Sequence, residues 1–408
     1  MQNILRNVLI LVLLTLPFSQ MRIVVLHIPI YYPEILIVGA LMIYAFLYMD
    51  KVTTIYTLPI KITLGIALFL SGAVMSVVVA GMTIEDLGAL KSWVILPLVY
   101  FIMTAQTFRK KSTREAALVC WYVGVVFVTV ISLLPLPFIR ETYDGRLSSY
   151  FPSPNHFAMF LEPGLLIGVY LIVSYVRNKQ MAFIAGATTL VIFSAIVRTE
   201  SSGALISAVI GIIFFISVLY VPRRIMIRIS IFVVLSTVSY LSLFMLGPEP
   251  ARLESGEVRT SVASRMMIWN ASIRMIKNHP FFGVGLRGFE QEYLSLQSEF
   301  PPYLEWAVPH PHNLVLALWL QTGISGLLGF VLIVGYLSRK LWRRLLYDKE
   351  RVNMLESALF LSLLLVFLTH GLVDTPFFKN DLSLQFFAVS GLALASLLSD
   401  KGYGKRNV

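Results

Sequence analysis

Apolar residues run along this 408-residue chain in long blocks, broken by short polar turns. Blocks near 20 residues recur from end to end, each long enough to cross a hydrocarbon core of about 30 Å as a helix. The pattern predicts about twelve spans, near residues 4–19, 33–49, 62–80, 89–105, 116–138, 156–176, 181–198, 203–220, 225–246, 313–337, 354–373 and 382–399. Pro17 interrupts the first, and Lys91 with Pro97 the fourth. The first block ends in Pro17-Phe18-Ser19-Gln20 with no small-residue cleavage site, so a retained helix is expected rather than a signal peptide. The fold class is therefore all-α, a polytopic membrane bundle with one long, partly helical outside loop. The expected organisation is an N-terminal bundle over 1–246, the loop over 247–312 and the C-terminal spans over 313–408, together one membrane domain.

Composition agrees with the pattern. Hydrophobic residues make up 57% and charged residues 13%, about half the charge of a soluble domain. Cys120 is the single cysteine, so no internal disulfide can form. Placing the N-terminus in the cytoplasm puts most of the 33 lysines and arginines there, in the short loops around Arg109–Arg114, Arg177–Lys179, Arg223–Arg228 and Arg339–Arg351. That alternation obeys the positive-inside rule with both termini cytoplasmic. The net charge of +11 is then a topology signal and not a nucleic-acid footprint. No phosphate-binding Walker loop, zinc spacing or dinucleotide fingerprint is present, which weighs against ATP-driven transport and soluble cofactor chemistry.

Within the long loop, TSVASRMMIWNASIRMIKNHP predicts a helix capped by Thr260 or Ser261 and stopped by Pro280. Val262, Met266, Trp269, Ile273 and Ile276 form one apolar stripe, flanked by Arg265 and Arg274. Such a helix can lie on the membrane surface or pack on the bundle. PFFGVGLRGFE follows, a glycine-rich turn whose amides could approach an anion beside Arg287.

The ionisable residues at the outside ends of spans define the candidate chemistry. They are Arg146 with Asn155 and His156 before the sixth span, Arg198 and Glu200 between the seventh and eighth, and Arg265, His279, Arg287, His310 and His312 in the long loop. His370 and Asp374 end the eleventh, and His27 may be counted only if its loop lies on the same side. Ionisable groups at membrane depth are costly and usually line a pathway or site. Many arginines with few acids favour an anionic ligand, because the guanidinium fork binds phosphate oxygens bidentately.

His312-Asn313, followed after nine residues by Gly323 and then Gly326, resembles the H-N-x9-G-x-x-G signature of bacterial O-antigen ligases, and the related O-antigen polymerases share its surroundings. GRLSSYFPSPNHFAMFL and SRMMIWNASIRMIKNHPFFGVGLRGFE are similar to two further family segments, so the resemblance spans roughly residues 140 to 390. It implies a metal-independent glycosyltransferase of the bacterial inner membrane, with no cofactor and a site facing the periplasm. The implied donor is a saccharide on undecaprenyl diphosphate, and the acceptor a lipid A core or a growing glycan. By position, Arg265 would bind diphosphate and His312 would act at the acceptor hydroxyl. Where the family shows Ser-Arg-Gly, this chain has Ser201-Ser202-Gly203, so Arg198, Arg146 and Arg287 are candidates for the missing guanidinium.

Pro311 between the histidines is expected to keep the segment extended and the rings apart. A neutral His312 at the start of the tenth span could accept a proton from an attacking hydroxyl. His310, Asn313, His370 and Asp374 would position the acceptor or the loop, and Gly323, Gly326 and Gly329 would let a neighbouring helix pack close. A His-x-His pair would need a third ligand to hold a metal, so none is expected. Ligase and polymerase share these requirements and both stay open. A lipid flippase would place charges near the midplane and show repeats, and a non-catalytic scaffold of envelope assembly is a further alternative.

Overall fold

The computed structural model describes residues 1–25, 28–48, 58–221, 225, 261–296, 299, 308–348 and 350–399. The expected ninth span, His27 and much of the long loop lie outside these residues.

The apolar blocks are helices. In chain order they are α1 (Gln2–Leu14), α2 (Tyr32–Tyr48), α3 (Ile60–Val79), α4 (Ile84–Thr107), α5 (Lys111–Ser132), α6 (Pro154–Ser174), α7 (Lys179–Arg198) and α8 (Ser202–Tyr220). After the long loop's α9 (Ser261–Asn278) and α10 (Phe289–Leu296) come α11 (Leu314–Tyr347), α12 (Arg351–His370) and α13 (Asn380–Leu398). Among the described residues, nine of these helices are long and apolar enough to cross a membrane. They coincide with nine of the expected spans. The first two expected spans are shorter apolar helices, α1 ending before Pro17 and α2 beginning after a small hairpin, β1 (Arg22–Val25) with β2 (Ile28–Tyr31). In α4 the backbone loosens into a π-helical turn over Leu90–Ile95. Pro97 follows it, and a wider turn accommodates the ring that would otherwise clash with the preceding turn.

Helices from opposite ends of the chain interleave. The most extensive pairing is α3 with α11, made possible by glycines on both. A Cβ on Gly72 would meet the Gly326 nitrogen at 2.4 Å, and one on Gly329 would meet the Phe69 nitrogen at the same distance. Small residues let backbones approach where no hydrophobic driving force separates helix from lipid. Ser71 and Ser325 hydroxyls add a polar contact at 3.4 Å. At the centre stands α13, almost wholly buried; its Phe386 and Phe387 interlock with Phe367, Phe377 and Phe330.

Gly323 departs from the expectation of close packing alone. It takes a left-handed φ of 66° and breaks α11 in two. In an unbroken helix the Ile324 amide would donate to the Leu320 carbonyl. Here Ile324 donates to Phe281 at 3.1 Å, and Leu320 accepts from Val284 at 2.7 Å. The segment Phe281–Val284 is thus stitched into the break. A Cβ at residue 323 would strike the Phe281 carbonyl at 2.3 Å.

The same stitching takes four of the glycine-rich turn's amides away from any anion. These are spent on the protein: Gly283 donates to His279, Val284 to Leu320, Gly285 to Ser76 and Arg287 to Asp86. The turn clamps the loop onto α3, α4 and α11. Helix α9 also sits differently from the expected stripe. Its buried side is Ser264, Met267, Ile268, Trp269, Ala271, Ser272 and Met275, packed with Phe289, Tyr293, Leu316 and Leu320; Trp269 of the expected stripe is buried, while Met266, Ile273 and Ile276 lie half-buried at the edge.

At the bundle end away from His312, Arg114 and Glu356 form a fully buried bidentate pair, 3.0 and 2.8 Å. Arg114, counted by sequence among the loop charges, is a strut between α5 and α12.

Candidate active site

The site end is built where three turns meet: the short hairpin β3 (Arg140–Glu141) and β4 (Leu147–Ser149) with the start of α6, the start of α11, and the loop joining α12 to α13. Local sequence explains each start. Ser153 caps α6 by accepting from the His156 amide, with Pro154 at the first position, where no amide is needed. Asn313 caps α11, its side-chain oxygen accepting from the amides of Val315 and Leu316.

His312 stands just before that cap with a φ of +49°, sparsely populated for a residue with a side chain. Three bonds tie the turn to the α12–α13 loop: His312 Nδ1 to Asp374 at 3.0 Å, Asn313 Nδ2 to the Leu372 carbonyl at 3.1 Å, and the Leu314 amide to the Gly371 carbonyl at 2.7 Å. The Trp269 indole of α9 donates to the His312 carbonyl at 3.3 Å. The strained backbone is therefore held from both sides, as a pre-positioned functional residue requires.

Asp374 is buried and fully engaged. Oδ1 accepts from His312 and, at 2.7 Å, from the Thr375 amide; Oδ2 accepts from Asn155 at 3.2 Å. Arg146 donates to Asn155 at 2.9 Å and to the Thr199 carbonyl at 2.9 Å. A chain thus runs from Arg146 through Asn155 and Asp374 to His312. Burial alone would raise the Asp374 carboxyl, but His312, His310 and His370 together hold it well below the usual carboxylate range.

The expectation that Pro311 keeps the two rings apart is wrong. His310 and His312 meet edge to face, 4.3 Å between centroids at 68°, because the backbone turns back at His312. Burial, and then the neighbouring His312, hold the His310 ring neutral well below the ordinary histidine value. The third group missing from the sequence argument against a metal is also present. Donor atoms of His310, His312 and Asp374 all lie within 4.8 Å of one another, a spacing that can hold a cation. A cation there would have to displace the hydrogen bonds that Asp374 and His312 already make to protein partners.

The remaining candidates separate. Arg265, on α9, is half-buried and bears electrostatically on His370. Arg198 lies in an exposed pair with Glu141, about half of each side chain in solvent, outside the bonded chain. Arg287 is exposed, its guanidinium 5.5 Å from the centre of the Trp93 ring. Asn313 spends its side chain on the cap and the loop tie, a use that positions the loop. His370 makes its side-chain bond to Glu162 rather than to Asp374: it is 1% exposed, and its Nδ1 lies 2.9 Å from Glu162 within the bundle.

Several site-end residues escaped the sequence reading. Glu162 interrupts the apolar run of α6 and pairs with His370 and Ser207; an acid inside a span was the signal that could have found it. Asp381 holds His156 through both oxygens, at 2.9 and 2.8 Å. Lys379 precedes α13 on the same loop as Asp374.

The site end of this helical membrane bundle thus holds a histidine with a left-handed backbone bonded to a buried carboxylate. Compared with family models, residues 164–331 match the family described as O-antigen ligase. The match takes in Arg265, His312, Gly323 and Gly326, and ends before Asp374. No curated protein matches the chain. That match supports reading the protein as an O-antigen ligase-like membrane glycosyltransferase.

Proposed function

We propose that the protein moves a saccharide from an undecaprenyl-diphosphate carrier to an acceptor sugar at the periplasmic face of the bacterial inner membrane, without a metal. The observation that carries this reading is the His312–Asp374 pair: Asp374 is buried, whereas the His312 side chain is 26% exposed. In the neutral ring Nδ1–H donates to Asp374, which leaves the Nε2 lone pair to accept a proton. The acceptor hydroxyl attacks the anomeric carbon and its proton passes to His312 Nε2. The bond from the anomeric carbon to the phosphate oxygen breaks, and its electron pair leaves on the diphosphate. Arg265 is the guanidinium assigned to that developing charge, worth most where water is excluded. Asp374 stabilises the imidazolium, and Arg146 with Asn155 positions Asp374.

The O-antigen polymerase reading differs only in acceptor and stays as the alternative within the same chemistry. The glycan profile of a deletion strain separates them. Long chains made but unattached support the ligase, and loss of long chains with a single unit still attached supports the polymerase. The chemistry itself is tested by His312→Ala in a purified transfer assay. Turnover should fall ~10²-fold or more with the protein folded; near-normal turnover would remove His312 as the base.

A further inference from the structure

The turn Pro280–Val284 lies deeper than a connection between spans requires. Helix α3 has 20 residues, about 30 Å of rise, which matches the thickness of a hydrocarbon core. Its last residue, Val79, therefore marks the membrane boundary on the His312 side. The turn and the residues after it sit at or below that level. The Gly285 amide accepts no water there but donates to the Ser76 hydroxyl at 3.1 Å, and a Cβ on Gly285 would meet that of Ala80 at 2.6 Å. Phe281 and Val284 bond to Ile324 and Leu320, well inside α11. Ser325 faces Ser71 across the α3–α11 contact, so Ile324, and Phe281 bonded to it, stand below Val79.

Irregular backbone at that depth must find its hydrogen bonds in the protein, since lipid offers none. This turn does so. Gly283 donates to His279 and Val284 to Leu320. The carbonyls of Pro280, Phe281 and Leu286 accept from the Trp319 indole at 2.7 Å, the Ile324 amide at 3.1 Å and the Gln321 side chain at 2.8 Å. The side chains do the reverse and turn outward: Phe281 is 68% exposed and Phe282 45%. Met75, Val78 and Val79 of α3 are exposed at the same level. A backbone served by protein and large apolar side chains left outside it belong to a segment that faces lipid. Lys277, exposed near the end of α9, has the reach to place its ammonium among phosphate headgroups.

We propose that Pro280–Val284 is a re-entrant turn immersed in the membrane, and that its partner is the phospholipid leaflet on the His312 side. Phe281 and Phe282 enter the upper acyl chains, while Trp319 and Lys277 stand at the headgroups. The turn is tied through His279 to the end of α9, and α9 holds the His312 carbonyl through Trp269. The anchor thus sets the height of the His312 turn above the lipid.

The test uses the full chain in nanodiscs of phosphatidylethanolamine and phosphatidylglycerol, in a Cys120→Ala background. A nitroxide is attached at Phe281→Cys, at Val78→Cys on α3, or at Tyr143→Cys in the fully exposed hairpin turn. All three are exposed positions with no part in transfer. Power saturation then compares lipid-soluble oxygen with a water-soluble nickel chelate. Labels at 281 and 78 should be relaxed severalfold more by oxygen than by nickel, and the label at 143 the other way. The depth read at 281 should agree with that at 78 within about one helical turn, ~5 Å. A label at 281 that follows 143, open to nickel, overturns the proposal and makes the turn aqueous. Exclusion of both reagents at 281 overturns it as well, because another protein surface, such as a second copy of the chain, would then cover the phenylalanines.

Discussion

Two histidine–carboxylate pairs in this protein are chemically alike and differ in where they sit. His370 and Glu162 face each other inside the bundle, 1% and 3% exposed. His312 and Asp374 lie at its end, the carboxylate equally buried but the imidazole 26% exposed. Bond lengths are nearly equal, 2.9 and 3.0 Å. What separates them is access. The inner pair is closed by Ser207 on Glu162 and by Gly203 against the His370 ring, so no acceptor can reach it. The outer pair leaves one ring edge free. The contrast teaches that a His–acid pair is a strut or a base according to whether its second nitrogen meets protein or space.

The largest effect should come from the outer pair. Asp374→Asn keeps the shape but removes the charge that orients and stabilises the His312 imidazolium, so turnover should fall by ~10² or more. A purified assay with matched folded protein measures it, and a loss under about threefold would deny the pair its role. The inner pair should give the opposite signature. Glu162→Ala strands a buried histidine, at a cost of about 3–5 kcal/mol in stability. Thermal unfolding in detergent should show the loss, while turnover per folded molecule stays near normal.

The pH profile sharpens the comparison next. Asp374 is held well below the carboxylate range and so stays charged as pH falls, and His310 is held neutral well below the ordinary histidine range. Neither changes charge over roughly pH 5–8, the window where histidines commonly titrate. An acid limb there therefore comes from neither group. Comparing the profiles of His312→Ala and the wild type measures whether such a limb depends on His312, and an unchanged limb would assign it elsewhere.

Smaller effects are expected among the arginines. Arg146→Ala removes the bond that orients Asn155 toward Asp374 and should lower kcat about tenfold, one charge-assisted bond. Arg198→Ala breaks only an exposed pair, and such pairs are worth roughly 0–1 kcal/mol. An equal loss in both variants would return Arg198 to the site. The smallest effect is expected from chelation. Transfer by purified protein should be unchanged by EDTA, and a loss restored by a divalent cation would convert His310, His312 and Asp374 into a metal centre.

Much of the bundle was legible because a span announces itself within its own twenty residues. Among the described residues, nine membrane-length helices appear where apolar runs predicted them, since backbone satisfaction in lipid favours a helix for a long apolar segment. The caps of α6 and α11 were likewise local, written in Ser153-Pro154 and Asn313. The charge of Arg114 read as a loop signal but serves as a buried strut, because sequence shows sign and spacing without depth.

What the sequence determined by itself was the membrane class, the helix positions and the importance of the His312-Asn313 segment with Gly323. These depend on periodicity, turn chemistry and family pattern, all local in the chain. Only the tertiary structure decided which groups face one another. It joined His312 to Asp374 across 62 residues, gave His370 to Glu162, brought His310 back onto His312 and bonded four amides of the glycine-rich turn to the protein. Those outcomes depend on a left-handed φ at His312, on the break at Gly323 and on how helices distant in sequence pack. Such pairings are long-range, and nothing in the local pattern of either partner encodes the other's position.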